Sequence, residues 1–290
     1  MREVKQQFLV GERALFHSQG LRITDTIFDD GESPLKESRD LEISTTSFRW
    51  KYPLWYCKNV KADHCTWMVG ARAGVWYTDD IEIRDSLVAA PKNFRRCKNI
   101  SLTNVKIPQA EETLWSCEDI KLTGVLVRGD YFGMNCRKIE ADDLTLYGNY
   151  SFDGATDISV TNSHLVTKDA FWNGENITVR NSYICGEYLG WNSKNLVLEN
   201  CTIESLQGMC YIENLVMKNC KLLNTTLAFE YSTGIDAEIV NRIDSIFNPG
   251  SGRIKAFEIG DLTVQKDEVD PSKTVIECDN IIKISDEPTF

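Results

Sequence analysis

Chemistry in this chain is offered mainly by seven tryptophans set among 43 acidic residues. Five of them (Trp55, Trp76, Trp115, Trp172 and Trp191) occupy the second place of a recurring six-residue word: LWYCKN, VWYTDD, LWSCED, FWNGEN and GWNSKN. In other copies that place holds Arg95 (FRRCKN), Met134 (GMNCRK) and Asp153 (FDGATD), and the next place holds Tyr56, Tyr77, Arg96, Asn173 and Asn192. Aromatic faces beside amide and guanidinium donors suit a sugar, whose C–H face stacks while its hydroxyls bond sideways. Trp55, Trp76, Arg95, Arg96, Trp115, Trp172 and Trp191 are therefore the candidate substrate-binding residues. Arg95 and Arg96, with Arg128, would neutralise a uronate or sulfate. Asp153 stands within the row, with Asp130 (RGDYF) one repeat before it and Asp169 (TKDAF) one repeat after. Backbones about 5 Å apart would let such acids reach the separation used for general acid and base work at a glycosidic bond. Met134 and Trp172 beside Asp153 would desolvate it and raise its pKa, as a general acid requires. A packing ladder covered by loops, and an interface to a second copy of the chain, are the competing readings of the same row.

Other chemistries find less support. His17, His64 and His164 lie far apart in sequence, and His64 falls at a turn position, so neither a metal nor a cofactor is expected. The ten cysteines contain no CxxC pair. Cys57, Cys97, Cys117 and Cys136 share the fourth place of the six-residue word, as small inward fillers would. A net charge of −11 and a pI near 4.9 argue against nucleic-acid and anionic-membrane partners, which are held mainly by Lys and Arg. No apolar run approaches the ~18 residues of a membrane span. The opening MREVKQQFLVGERALF carries no signal-peptide core. With thiols reduced, a cytoplasmic protein is expected.

What must position the row is a second, nine-residue word: GLRITDTIF, DLEISTTSF, NVKADHCTW, DIEIRDSLV, NISLTNVKI, DIKLTGVLV, KIEADDLTL, DISVTNSHL, NITVRNSYI, NLVLENCTI and NLVMKNCKL. Its second letters, Leu21 to Leu215, follow one another at 19 to 21 residues, and letters two, four and nine are apolar throughout. Alternation at letters two to four predicts a half-buried strand. Asn or Asp at letter six predicts a bend in left-handed backbone, after which letter nine turns inward again. Two or three short strands in 19–20 residues leave no room for a helix. The leucine-rich alternative needs longer repeats and an L-x-x-L-x-L core, which these lack. The pattern predicts an all-β, single-stranded right-handed parallel β-helix, a solenoid of 19–20-residue coils. Residues 1–20 read as a degenerate N-terminal cap coil, 21–248 as the parallel β-helix and 249–290 as irregular C-terminal coils or cap, in one structural domain.

This spacing, with Asn at a turn and small or aromatic residues in columns, resembles the pectate-lyase-like superfamily of right-handed parallel β-helices over about residues 8–248. It looks like an uncharacterised bacterial branch of that superfamily. The polygalacturonase words and the pectate-lyase RxPxxR word are absent. The resemblance implies sugar polymers as the substrate class, and so a hydrolase or lyase acting on a polysaccharide or oligosaccharide in an outer-face aromatic groove. A non-catalytic carbohydrate-binding protein, or a scaffold or assembly β-helix that forms a homo-oligomer through its aromatic face, is the alternative.

Overall fold

A computed structural model describes residues 1–286. It divides into two compact units, Met1–Tyr147 and Gly148–Phe290. Both are right-handed parallel β-solenoids of about 19-residue coils, almost without helix.

In the N-terminal unit the apolar letters become columns. Leu21, Leu41, Val60, Ile81, Ile100, Ile120 and Ile139 lie opposite one another in successive six-residue strands, from Gln19–Thr24 to Arg137–Asp142. Each of these side chains is at most 2 % exposed. Burying one such side chain contributes roughly 1.5–3 kcal/mol. The intervening letters face water and carry opposite charges on neighbouring coils, as in Arg22–Glu42 at 2.9 Å and Lys121–Glu140 at 3.5 Å. Letter nine begins the inward turn of a second stack of two- or three-residue strands, in which Phe28, Phe48 and Trp67 pile ring on ring at 5.1–5.2 Å. Arg2–Lys5 pairs with the coil that follows, so the chain is already in register at its start.

The C-terminal unit repeats the pattern with Ile158, Ile177, Leu196 and Leu215 in column. Parallel pairing continues past residue 248, where the nine-letter word is lost: Ile254 lies opposite both Ala237 and Ile276. Alternation at Ile254 and Ala256 is enough to keep inner and outer faces distinct there, although the Asn turn letters are gone. A single 3₁₀ turn, Pro271–Lys273, is capped by Asp270, whose carboxylate accepts from the Ser272 amide at 3.0 Å.

The bends expected at letter six are left-handed, with φ near +50° at Asn104, Asn162, Asn181, Asn200 and Asn219. That region costs most side chains about 1 kcal/mol, and Asn least, because its amide bonds locally. Here the amides also form a ladder: Asn219 donates to Asn200 at 2.8 Å and Asn200 to Asn181 at 3.2 Å.

Candidate functional site

The aromatic row takes a different form in each unit. In the N-terminal unit the rings cover one another. Trp55 and Trp76 stack at 5.1 Å and 5°, and Tyr56 and Tyr77 beside them at 4.8 Å and 6°. The two indole N–H groups donate to the carbonyls of Ala73 at 2.6 Å and Lys92 at 2.8 Å, which fixes their tilt. Arg95 continues the stack as a planar cation, 4.7 Å from the Trp76 ring and 5.1 Å from Trp115, and donates to Glu112 at 3.0 Å. Two indole faces and one carboxylate accommodate the Arg95 cation inside the ladder. Ring faces that would receive a sugar are spent on neighbouring rings here, and the row presents edges to solvent. Arg96 is exposed at a left-handed corner, its amide donating to the Trp115 carbonyl at 3.0 Å.

In the C-terminal unit the row loosens. Trp172 and Trp191 are 6.3 Å apart and inclined at 45°, Tyr150 and Trp172 are 6.2 Å apart at 38°, and Tyr188 meets Trp191 edge-on at 5.3 Å. Two of the three candidate acids lie among these rings. Asp153 is half-buried and ends an amide ladder in which Asn192 donates to Asn173 at 2.8 Å and Asn173 to Asp153 at 3.4 Å. Burial pushes the Asp153 pKa up, and the Asn173 bond partly offsets this.

Asp169 is only 2 % exposed, and its Oδ1 has no hydrogen-bond partner. Burial raises its pKa, Lys168 works against that, and Glu187 and Asp153 add to it. Its position follows from the backbone. A parallel bridge between Ser151 and Ala170 sets Tyr150 and Asp169 at adjoining places of neighbouring coils, and Asp169 in turn lies opposite Tyr188. On the next coil the Glu187 and Tyr188 amides both donate to the Lys168 carbonyl, at 3.0 and 2.9 Å. Gly186 makes this approach possible, since a Cβ there would collide with the Thr167 carbonyl. The third candidate, Asp130, belongs to the N-terminal unit, half-buried, its carbonyl accepting from the Glu112 amide at 3.0 Å.

Sequence reasoning missed Tyr150, Tyr188, Lys168 and Glu187. Tyr150, Asp169 and Tyr188 each stand two residues before a six-residue word, a column that the words themselves do not include. Elsewhere, among the described residues, Asp63, His64 and Asp85 bring one potential metal ligand each to within 4.8 Å of one another, all exposed. His64 Nδ1 lies 2.9 Å from Asp63, which raises the imidazole pKa, and Asp85 accepts from Asn104 in the turn ladder. These contacts account for the cluster as part of the turn stack.

Stacked parallel coils, columnar core residues and amide ladders at the corners define a solenoid repeat protein. The chain belongs to the family described as "Protein of unknown function (DUF3737)", which matches residues 2–277. No curated protein matches the sequence. Among solved structures it is similar to PfbA, a surface adhesin of Streptococcus pneumoniae, at 9 % identity over 98 % of this chain and 83 % of that one, with a TM-score of 0.36. It is also similar to HetL, a pentapeptide repeat protein involved in heterocyst differentiation regulation from the cyanobacterium Nostoc, at 10 % identity over 81 % and 86 %, TM-score 0.34. The A-module of mannuronan C-5 epimerase AlgE4 from Azotobacter vinelandii is similar at 11 % identity over 99 % and 87 %, TM-score 0.26. Such values carry no functional argument.

Proposed function

We propose that this protein binds a carbohydrate, and that the site is the loosened stretch of the aromatic row in the C-terminal unit: Asp153 and Asp169 with Tyr150, Trp172, Tyr188 and Trp191. One observation carries the reading. Asp169 keeps a buried carboxylate oxygen without a partner, three residues from Trp172, whose ring stands 6.2 Å from Tyr150 and 6.3 Å from Trp191. Leaving such an oxygen unsatisfied costs roughly 1–3 kcal/mol, which a donor from a bound ligand would recover. A sugar supplies that donor together with an apolar face for Trp172 or Trp191. Tyr150 and Trp172 are part-exposed, and a side-chain rotation of either would open the way to Asp169. Trp55, Trp76, Arg95, Arg96 and Trp115 serve in this reading as a rigid ladder offering ring edges rather than faces.

A catalytic role rests on the same pair. In that role Asp169, whose pKa burial raises, would give a proton to a leaving oxygen, and Asp153, where an Asn173 bond partly offsets the effect of burial, would act as the base. The superfamily resemblance agrees with a sugar polymer as substrate.

The test is a glycan array probed with wild type, Trp172→Ala and Asp169→Asn. The expected result is a defined set of glycans retained by wild type and lost by both variants. Retention that neither variant alters, or no retention at all, overturns the reading. If wild type also cleaves a retained glycan, Asp153→Asn and Asp169→Asn should each abolish turnover while the fold persists by circular dichroism.

A further inference from the structure

We infer that the ligand of this face is cationic: a glycan whose sugars carry free, protonated amino groups. The inference rests on the carbohydrate reading above and narrows it to one substrate class. Asp153 and Asp169 sit on neighbouring coils, joined by the bridge between Ser151 and Ala170, and the charges of Asp153 and Glu187 both act on Asp169. The cation that acts on Asp169 is Lys168, and Lys168 is already tied to Glu187 at 3.4 Å. One lysine is thus shared among three carboxylates, one of them buried with an unpartnered oxygen.

Three sugar chemistries meet this face differently. A uronate or sulfated sugar would bring a further anion against these carboxylates, where Lys168, the cation that acts on Asp169, is tied to Glu187. A neutral sugar would satisfy the orphaned oxygen through a hydroxyl but leave both charges standing. An ammonium group on a pyranose does both tasks. It carries three donors, enough for Asp169 Oδ1 and Asp153 together, and its charge is further stabilised by the indole and phenol faces around it. The pyranose ring that bears it supplies the apolar face for Trp172 or Trp191. The net charge of −11 would also draw a polycationic chain to the protein before it docks.

The experiment compares three oligosaccharides of equal length by isothermal titration on the full chain, slightly below neutral pH: oligo-glucosamine, its fully N-acetylated form and oligo-galacturonate. Oligo-glucosamine should bind at least ~10-fold more tightly than the acetylated form and oligo-galacturonate not at all. Asp169→Asn and Asp153→Asn should each remove that preference while leaving the thermal transition cooperative. Equal or tighter binding of the acetylated or acidic oligomer, lost in Trp172→Ala, overturns the cationic inference and leaves the carbohydrate reading standing. Oligo-glucosamine binding that both Asn variants retain also overturns the inference, as general attraction to an acidic surface. Absence of binding by all three oligomers overturns it too, and the broader array then decides the carbohydrate reading separately.

Discussion

A carboxylate at 2 % exposure with one oxygen unpartnered is a group the folded chain would rather hold protonated. Burial raises the Asp169 pKa, Lys168 opposes this, and Glu187 and Asp153 add to it, with Tyr188 opposite it on the next coil. A carboxyl whose pKa is higher folded than unfolded binds more protons in the folded state, so the fold loses stability as pH rises from the ordinary carboxylate range through the raised value. Asp169→Asn should therefore raise the melting temperature near neutral pH, and the gain should vanish below the ordinary carboxylate range. Thermal melts of both proteins across pH 3–8 check this, and a gain independent of pH would contradict it. Arg95 gives the opposite expectation. Removing its guanidinium from between Trp76 and Trp115 loses two cation–π contacts and an ion pair with Glu112. Arg95→Ala should cost about 1–3 kcal/mol in urea denaturation, and Arg95→Lys part of it, because a lysine cannot stack as a plane.

At the scale of the strand and turn, Gly186 decides where Asp169 sits. Gly186→Ala would push the strand Tyr183–Leu189 off the Thr167 carbonyl, and an overpacked site of this kind costs about 1–3 kcal/mol. Chemical denaturation should show that loss, together with weakened binding of any ligand whose affinity depends on Asp169. The strands themselves were legible in the sequence because apolar letters at period two repeat in eleven copies, with Asn or Asp at letter six in eight of them. The column of Cys57, Cys97, Cys117 and Cys136 as inward fillers was legible for the same reason, and all four are buried. The repeat length also placed Asp153 and Asp169 on neighbouring coils, as the bridge between Ser151 and Ala170 has them. What could not be read was the tilt of each ring. Letters place Trp76 and Trp172 in equivalent positions, yet one lies flat on its neighbour and the other at 45°. That difference lies in contacts between coils, which have no sequence letter of their own.

Within each unit the described coils pair with the coils beside them, so stability is a sum of neighbour terms and opening can proceed one coil at a time. The ten cysteines are unpaired; eight are buried, and only Cys185 and Cys278 are part-exposed. Burial pushes the thiol pKa of Cys65 up to about 11 and of Cys57 to about 12, which leaves little reactive thiolate at neutral pH. A thiol reagent applied to the native protein should thus modify Cys185 and Cys278 quickly and the others only as their coils open, as counted by mass spectrometry. Rapid modification of more than two would contradict the packing. The spacing of the buried eight has a practical consequence. Cys57, Cys65, Cys97, Cys117 and Cys136 in one unit, and Cys201, Cys210 and Cys220 in the other, sample successive coils like marks on a tape. The order in which they acquire label in dilute denaturant would read out, within each unit and without any engineered probe, which end unzips first.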